Sequence, residues 1–227
     1  MSLSTVEVKL LRYLAPLARH LQILLFFALL SSACDRSGAF SSIRNLDSRG
    51  GSIICFGDSL TEGVGAGNGE DYPSILARRL GVSIINAGRR GDTSADGLAR
   101  LDQSVLAQNP RLVIVLFGGN DFLRQLAVSE TKKNLEEIVR RIQDRGAMVV
   151  LAGMRLGLFT DEYGPVYEEI ARKQGALYVP EILKGILSDA RLKSDSIHPN
   201  SAGYQLVAER ILQKVKPLLE EADRRKG

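Results

Sequence analysis

The 227-residue sequence predicts an α/β fold in three layers, with helices on both faces of a parallel sheet of about five strands. Three observations carry this expectation. Short runs rich in β-branched residues at 52–56, 82–86, 112–117, 148–152 and 176–179 are almost continuously apolar, as strands buried on both faces are. Between them lie stretches with helical spacing of apolar residues, at 72–80, 94–106, 129–145 and 166–174. Such alternation builds a parallel sheet, because a crossover helix packs back onto it with one hand. Finally, the first three runs end in polar, glycine-containing turns: "GDS", "AGRRGDTS" and "GGND". Ligands of open parallel sheets bind outside the carboxyl ends of the strands, so these turns are where chemistry is expected.

In chain order, residues 1–34 differ from everything after them. Lys9, Arg12, Arg19 and His20 precede "LQILLFFALL", an apolar run of the length of a signal-peptide core and too short to span about 30 Å of hydrocarbon. The run ends in "SSAC", where Ser31 and Ala33 fit a small-x-small cleavage rule and Cys34 becomes the first residue of the exported chain. The block resembles a bacterial lipoprotein signal, in which that cysteine receives the lipid, although Ser31 stands where the pattern usually has Leu. Plain secretion is the alternative. An uncleaved anchor helix is a third reading, made expensive by Arg12 and Arg19. Residues 35–50, "DRSGAFSSIRNLDSRG", are small and polar and read as a flexible tether. The folded domain is expected at 51–227.

Composition excludes several classes. A hydrophobic share of 44% with 25% charged residues is ordinary for a globular chain, so disorder is not indicated. Half of the net charge of +4 belongs to the first 34 residues, and the remaining arginines form no aromatic-interleaved stripe of the kind that binds nucleic acid. The two cysteines, Cys34 and Cys55, allow no disulfide framework or metal-type spacing, and Cys55 lies inside an apolar run as a small buried hydrophobe. No metal-ligand cluster or cofactor motif is evident.

Within "SIICFGDSLTEGVGAG", Ser59 stands where the first strand breaks, followed by Gly63, Gly65 and Gly67. A phosphate-binding loop is excluded, since no Lys follows any of these glycines and the dinucleotide spacing is not met. The G-x-S-x-G elbow is also missing. A nucleophilic serine needs a base held by a third group. Downstream of residue 34 there is one histidine, His198 in "DSIHPNSAGY", with Asp195 three residues before it and a helix expected from about Asn200. Asp195 can meet one imidazole nitrogen while the other faces Ser59. Taken alone, a histidine before proline is as readily a surface turn residue.

Together, "FGDSLTEG", "NAGRRGDTS", "GGND" and "DSIHPN" occur in the order and approximate spacing of the SGNH (GDSL) hydrolase family, and the resemblance covers roughly residues 52–214. It implies a flavodoxin-like sheet and a serine esterase acting on carboxylic esters or thioesters through an acyl-serine intermediate, with no cofactor or metal. By the same resemblance Ser59 is the nucleophile, Asp195 and His198 complete the triad, and Ser59 N–H, Gly91 N–H and the Asn120 side chain form the oxyanion hole. Asp58 and Asp121 are expected to cap turns. Arg89 and Arg90 depart from the small residues usual there; they are read either as solvated or paired with Asp92 and Asp96, or as recruiting an anionic ester. Phe122, Leu123, Leu156, Leu158 and Phe159 are expected to contact the acyl group. The implied partners are a small ester or lipid substrate and, through Cys34, a membrane. Two rivals use the same fold: a deacetylase of sugars or cell-wall polymers, and a non-catalytic binding protein.

Overall fold

The computed structural model describes residues 40–156 and 161–226, and residues 42–227 form one compact unit. The expected signal, Cys34, Leu158 and Phe159 lie outside the described residues. Five strands, β1 (Ser52–Gly57), β2 (Ile84–Gly88), β3 (Pro110–Leu116), β4 (Met148–Ala152) and β5 (Leu177–Val179), form one sheet in the order β2-β1-β3-β4-β5. Every neighbouring pair is parallel. The chain leaves β1 in one direction and returns past it to β3, so the carboxyl ends of β1 and β3 flank a topological switch point.

Among the described residues seven α-helices accompany the sheet: α1 (Ser59–Glu62), α2 (Tyr72–Leu80), α3 (Ser94–Ser104), α4 (Gly119–Leu123), α5 (Val128–Asp144), α6 (Gly164–Gln174) and α7 (Ser201–Arg224). Helices α3, α5 and α6 cover one face. There Leu101, Leu135, Ile138 and Ile170 pack on Ile54, Phe56, Val113, Val115, Val149 and Leu151. Strand side chains alternate in direction, so Ile53, Cys55, Leu112 and Ile114 turn to the other face. That face carries α2 and α7, which pack against each other. The three-layer expectation holds because each inner strand is apolar at both parities.

Several boundaries differ from the sequence reading. The second strand begins at Ile84, not 82, and is an edge, with Val82 42% and Ile85 38% exposed. An apolar run does not distinguish an edge from a centre, because that is decided by pairing partners. Helix α5 starts at Val128 with Ala127 as an N-cap that offers no side-chain bond, so Ser129 lies inside the first turn instead of capping it. Helix α6 starts at Gly164, with Pro165 in its first turn. Residues 42–50, expected as tether, are fastened to the domain. Arg44 N–H donates to Gly175 O, and Asn45 Nδ2 donates to Gln143 O at 2.7 Å and Ala147 O at 2.9 Å. Asn45 thus adds a second donor to a carbonyl at the α5 C-terminus that also accepts Gly146 N–H, and Leu46 is buried beside it in sequence.

Candidate active site

Ser59 occupies the first position of α1, directly after β1. Asp58 is the N-cap, its carboxylate accepting Leu60 N–H at 3.0 Å, which halts the strand and turns the chain. A helix's first N–H has no carbonyl one turn back to bond, so Ser59 N–H is left for another acceptor. The Ser59 hydroxyl lies 2.9 Å from His198 Nε2, across 139 residues of sequence. His198 Nδ1 is 2.8 Å from Asp195 Oδ2. The other carboxylate oxygen, Oδ1, accepts Ile197 N–H and His198 N–H, each at 2.8 Å. Although Asp195 is half exposed, these donors, His198 first and Ile197 next, pull its pKa down to about 2. A carboxylate held ionised there accepts Nδ1–H, which leaves the Nε2 lone pair facing Ser59.

The glycine run after Ser59 braces this histidine. Gly65 has φ +91°, and a β-carbon on it would meet Ser194 Oγ at 2.1 Å and Pro199 O at 2.5 Å, so the 63–69 turn lies directly against the histidine loop. Gly67 N–H donates to Ser201 Oγ at 3.0 Å, and Tyr204 OH donates to Val64 O at 2.9 Å. The loop also ties to itself, with Ser194 N–H donating to His198 O and Lys193 bridging Pro199.

The second turn, residues 89–92, closes with Asp92 N–H donating to Arg89 O at 3.3 Å, and Gly91 at its third position has φ +81°. That φ is what a type II turn demands of its third residue, and glycine adopts it without strain. Gly91 N–H takes no part in the closing bond. Its carbonyl accepts Arg124 Nη2 at 2.7 Å. Asn120, in α4, donates from Nδ2 to Asp92 O at 2.9 Å. Since a carbonyl only accepts, this bond fixes which end of the amide is nitrogen and leaves its second N–H to donate elsewhere.

Buried acids hold these turns. Asp121 accepts Ser94 N–H at 2.9 Å, Ser94 Oγ–H at 2.5 Å and Thr131 Oγ1–H at 3.0 Å, so the "GGND" turn is bolted to α3 and α5. Asp58 is fully buried, and burial, with the charge of Asp121 adding, pushes its pKa up to about 7. Of the expected partners of the arginine pair, Asp92 holds for Arg89 and Asp96 is corrected. Arg90 pairs with Glu62, its Nε donating at 2.7 Å and its backbone N–H at 2.5 Å, whereas Asp96 caps α3 with Thr93. Arg89 reaches only to 3.7 Å from Asp92 and is 71% exposed. Its neighbour sits opposite Glu62 because α1 is packed against β2, a tertiary contact that sequence distance conceals.

A cavity of about 420 Å³ opens beside Ser59, Asn120 and His198. Of the expected acyl contacts, Phe122, Leu123 and Leu156 line it. Met154, Leu183, Leu187 and Ile197 line it too and escaped the sequence reading. For Leu183 and Leu187 the spacing of four, which puts side chains on one face of a helical turn, was the available signal. Among the described residues no group of three His, Cys, Asp or Glu side chains could hold a metal ion, and no helix is long and apolar enough to cross a membrane.

Residues 55–206 match the GDSL-like Lipase/Acylhydrolase family. Esterase TesA of Pseudomonas aeruginosa is 32% identical over 181 residues, covering 74% of this chain and 89% of that protein. Thioesterase 1/protease 1/lysophospholipase L1 of Escherichia coli K12 is 27% identical over 175 residues, covering 74% of this chain and 84% of that protein. A crystal structure of TesA superposes with a TM-score of 0.70 at 30% identity, over 74% of this chain and 99% of that one. The switch-point serine, the histidine that reaches it across the whole fold and the two independent likenesses converge, and the chain belongs to the GDSL-like lipase/acylhydrolase family as a serine hydrolase of ester bonds.

Proposed function

We propose that ester hydrolysis runs through Ser59 as nucleophile, His198 as general base and Asp195 as its orienting carboxylate, on acyl esters or thioesters whose chain lies in the leucine-lined cavity. The continuous chain of contacts from Ser59 to His198 to Asp195, at 2.9 and 2.8 Å, carries this reading. Ser59 Oγ attacks the carbonyl carbon while its proton moves to His198 Nε2. The carbonyl oxygen gains the electron pair of the C=O bond and meets Ser59 N–H, Gly91 N–H and Asn120 Nδ2–H. Collapse expels the alcohol or thiol, which takes the proton from Nε2 and leaves the acyl group on Ser59. Water then attacks the acyl carbon, giving its proton to Nε2, and Ser59 recovers that proton as the acid departs.

Phe122, Leu123, Leu156, Leu187 and Ile197 at the cavity favour an apolar acyl chain over a bare acetyl group. A series of p-nitrophenyl esters from acetate to palmitate is expected to give kcat/KM that rises from acetate to octanoate. A maximum at acetate would favour the deacetylase reading. A fluorophosphonate probe is expected to label the wild type and not Ser59→Ala, whose hydrolysis falls to background; label on Ser59→Ala would overturn the assignment. Export under the residue 1–33 signal and lipid attachment at Cys34 belong to the same reading, supported by the charged, apolar and small-residue blocks before Cys34.

A further inference from the structure

One side chain outside the reacting groups bonds to three segments that adjoin the oxyanion donors. Arg100 projects from α3, and its side chain is only 14% exposed. Nη2 donates to Gly57 O at 2.9 Å, Nη1 donates to Ala87 O at 3.0 Å, and Nε donates to Asp92 Oδ2 at 2.5 Å. Its guanidinium carbon lies 4.6 Å from the centre of the Phe56 ring. Those acceptors belong to three segments. Gly57 ends β1 two residues before Ser59, Ala87 lies at the end of β2, and Asp92 follows Gly91. Asp92 in turn offers its carbonyl to Asn120 Nδ2 at 2.9 Å.

We propose that Arg100 is the positioning residue of the oxyanion hole: a single planar fork that holds the β1 end, the β2 end and the Asp92 carboxylate in one rigid frame, and thereby fixes where Gly91 N–H and Asn120 Nδ2–H point. The inference rests on the oxyanion reading above. Its physical basis is that an oxyanion hole works only when its donors are in place before charge develops, and donors on two separate segments need a common frame. Gly91 and Asn120 sit in different turns, and the Asp92 main chain is the link between them. Asp92 is 8% exposed and its tightest ion-pair partner is Arg100. Rigid, always charged and with five donors in one plane, arginine suits three acceptors in different directions; an ammonium is a point charge that meets Asp92 without the fixed fork that spans both strand-end carbonyls. Stacking on Phe56 fixes the plane of the fork.

The test compares Arg100→Met and Arg100→Lys with the wild type in kcat, KM and melting temperature on p-nitrophenyl butyrate, below the melting midpoint of each variant. Arg100→Met is expected to lower kcat by 10- to 100-fold with KM changed less than about threefold. Arg100→Lys, which keeps a charge opposite Asp92 and so remains folded if the methionine variant does not, is expected to lower kcat by about tenfold. A brace that served stability alone would lower the melting temperature and leave kcat of the folded enzyme unchanged, and that result overturns the proposal. The decisive measurement is the Arg100→Lys, Asn120→Ala double variant. If Arg100 acts through the donors, the lysine change costs clearly less than its roughly tenfold once Asn120 is gone, because only its effect through Gly91 N–H is left; independent, multiplying losses would refute it. Activity surviving in Ser59→Ala would instead refute the underlying site assignment, and so the two failures are told apart.

Discussion

At Asn120 and Asp58 single side chains lend themselves to measurement. The carbonyl oxygen of an ester is weakly basic in the ground state and nearly fully charged in the tetrahedral transition state, so a preformed donor acts mainly on kcat. Asn120→Ala is expected to lower kcat by roughly 10²–10³, about 2.7–4 kcal/mol, with KM nearly constant. A variant near wild-type kcat would remove Asn120 from the oxyanion hole; a fall in melting temperature with a raised KM would mark it as a brace for its turn. Asp58 gives a pH test. Its pKa is raised from 3.8 to about 7, first by burial, so the folded chain holds a proton that the unfolded chain releases between those values. Stability from this group is therefore fully present below the ordinary carboxylate range and is lost as pH rises to about 7. Asp58→Asn lacks that titration, and its melting temperature relative to wild type should climb from pH 4 to 7 and level off above. A constant difference across that range would show that Asp58 keeps an ordinary pKa. Asp195 has the opposite sign: held down to about 2, it stays ionised throughout the range in which ordinary carboxylates titrate.

At the scale of elements, the proposed site draws on the turns that follow strands as much as on the helices they lead into. The 63–69 turn has no reacting group, yet it abuts the loop that holds His198. Gly65→Ala would force a β-carbon into Pro199 O and a left-handed backbone onto alanine. A loss of roughly 1–3 kcal/mol in stability is expected from the overpacking, together with a lower kcat as His198 moves from Ser59. Chemical denaturation and steady-state kinetics on one ester check both, and an unchanged kcat would mean that the histidine loop holds its place without the turn. The glycine run that resembles a phosphate cradle in sequence is thus a seat for the catalytic loop.

For the whole molecule, the proposed acyl site brings together segments distant in sequence that line one cavity: α4, the end of β4, and the stretch carrying Leu183 and Leu187. Leu187→Trp is expected to lower the octanoate-to-acetate ratio of kcat/KM by about tenfold, comparable to losing roughly two buried methylenes at about 0.8 kcal/mol each. An unchanged ratio would place the acyl chain elsewhere. Compartment is a second property of the entire chain. Cys34→Ser is expected to shift the exported protein from the detergent to the aqueous phase with kcat/KM unaltered, and a wild type already aqueous would end the lipid-anchor reading.

Strand runs, helical periods and four short motifs were legible in the sequence because they are local: buried strands must be apolar, and a turn at a strand end needs its own polar and glycine residues. Ser59, Gly91, Asn120, Asp195 and His198 take their expected roles from the family resemblance that those motifs carry. What sequence distance hides is which parts meet. That β2 is an edge, that Glu62 and not Asp96 holds Arg90, that Asn45 fastens the supposed tether to α5, and that Leu183 and Leu187 line the cavity beside Ser59 were all decided by the packing of layers. Arg100 is the clearest case. In "GLARLD" it reads as one more charged residue of an amphipathic helix, and only when α3 lies on the sheet do Gly57, Ala87 and Asp92 come within reach of one guanidinium. Motifs are kept by local chemistry, whereas frames are made by non-local contact, and a linear pattern records only the first.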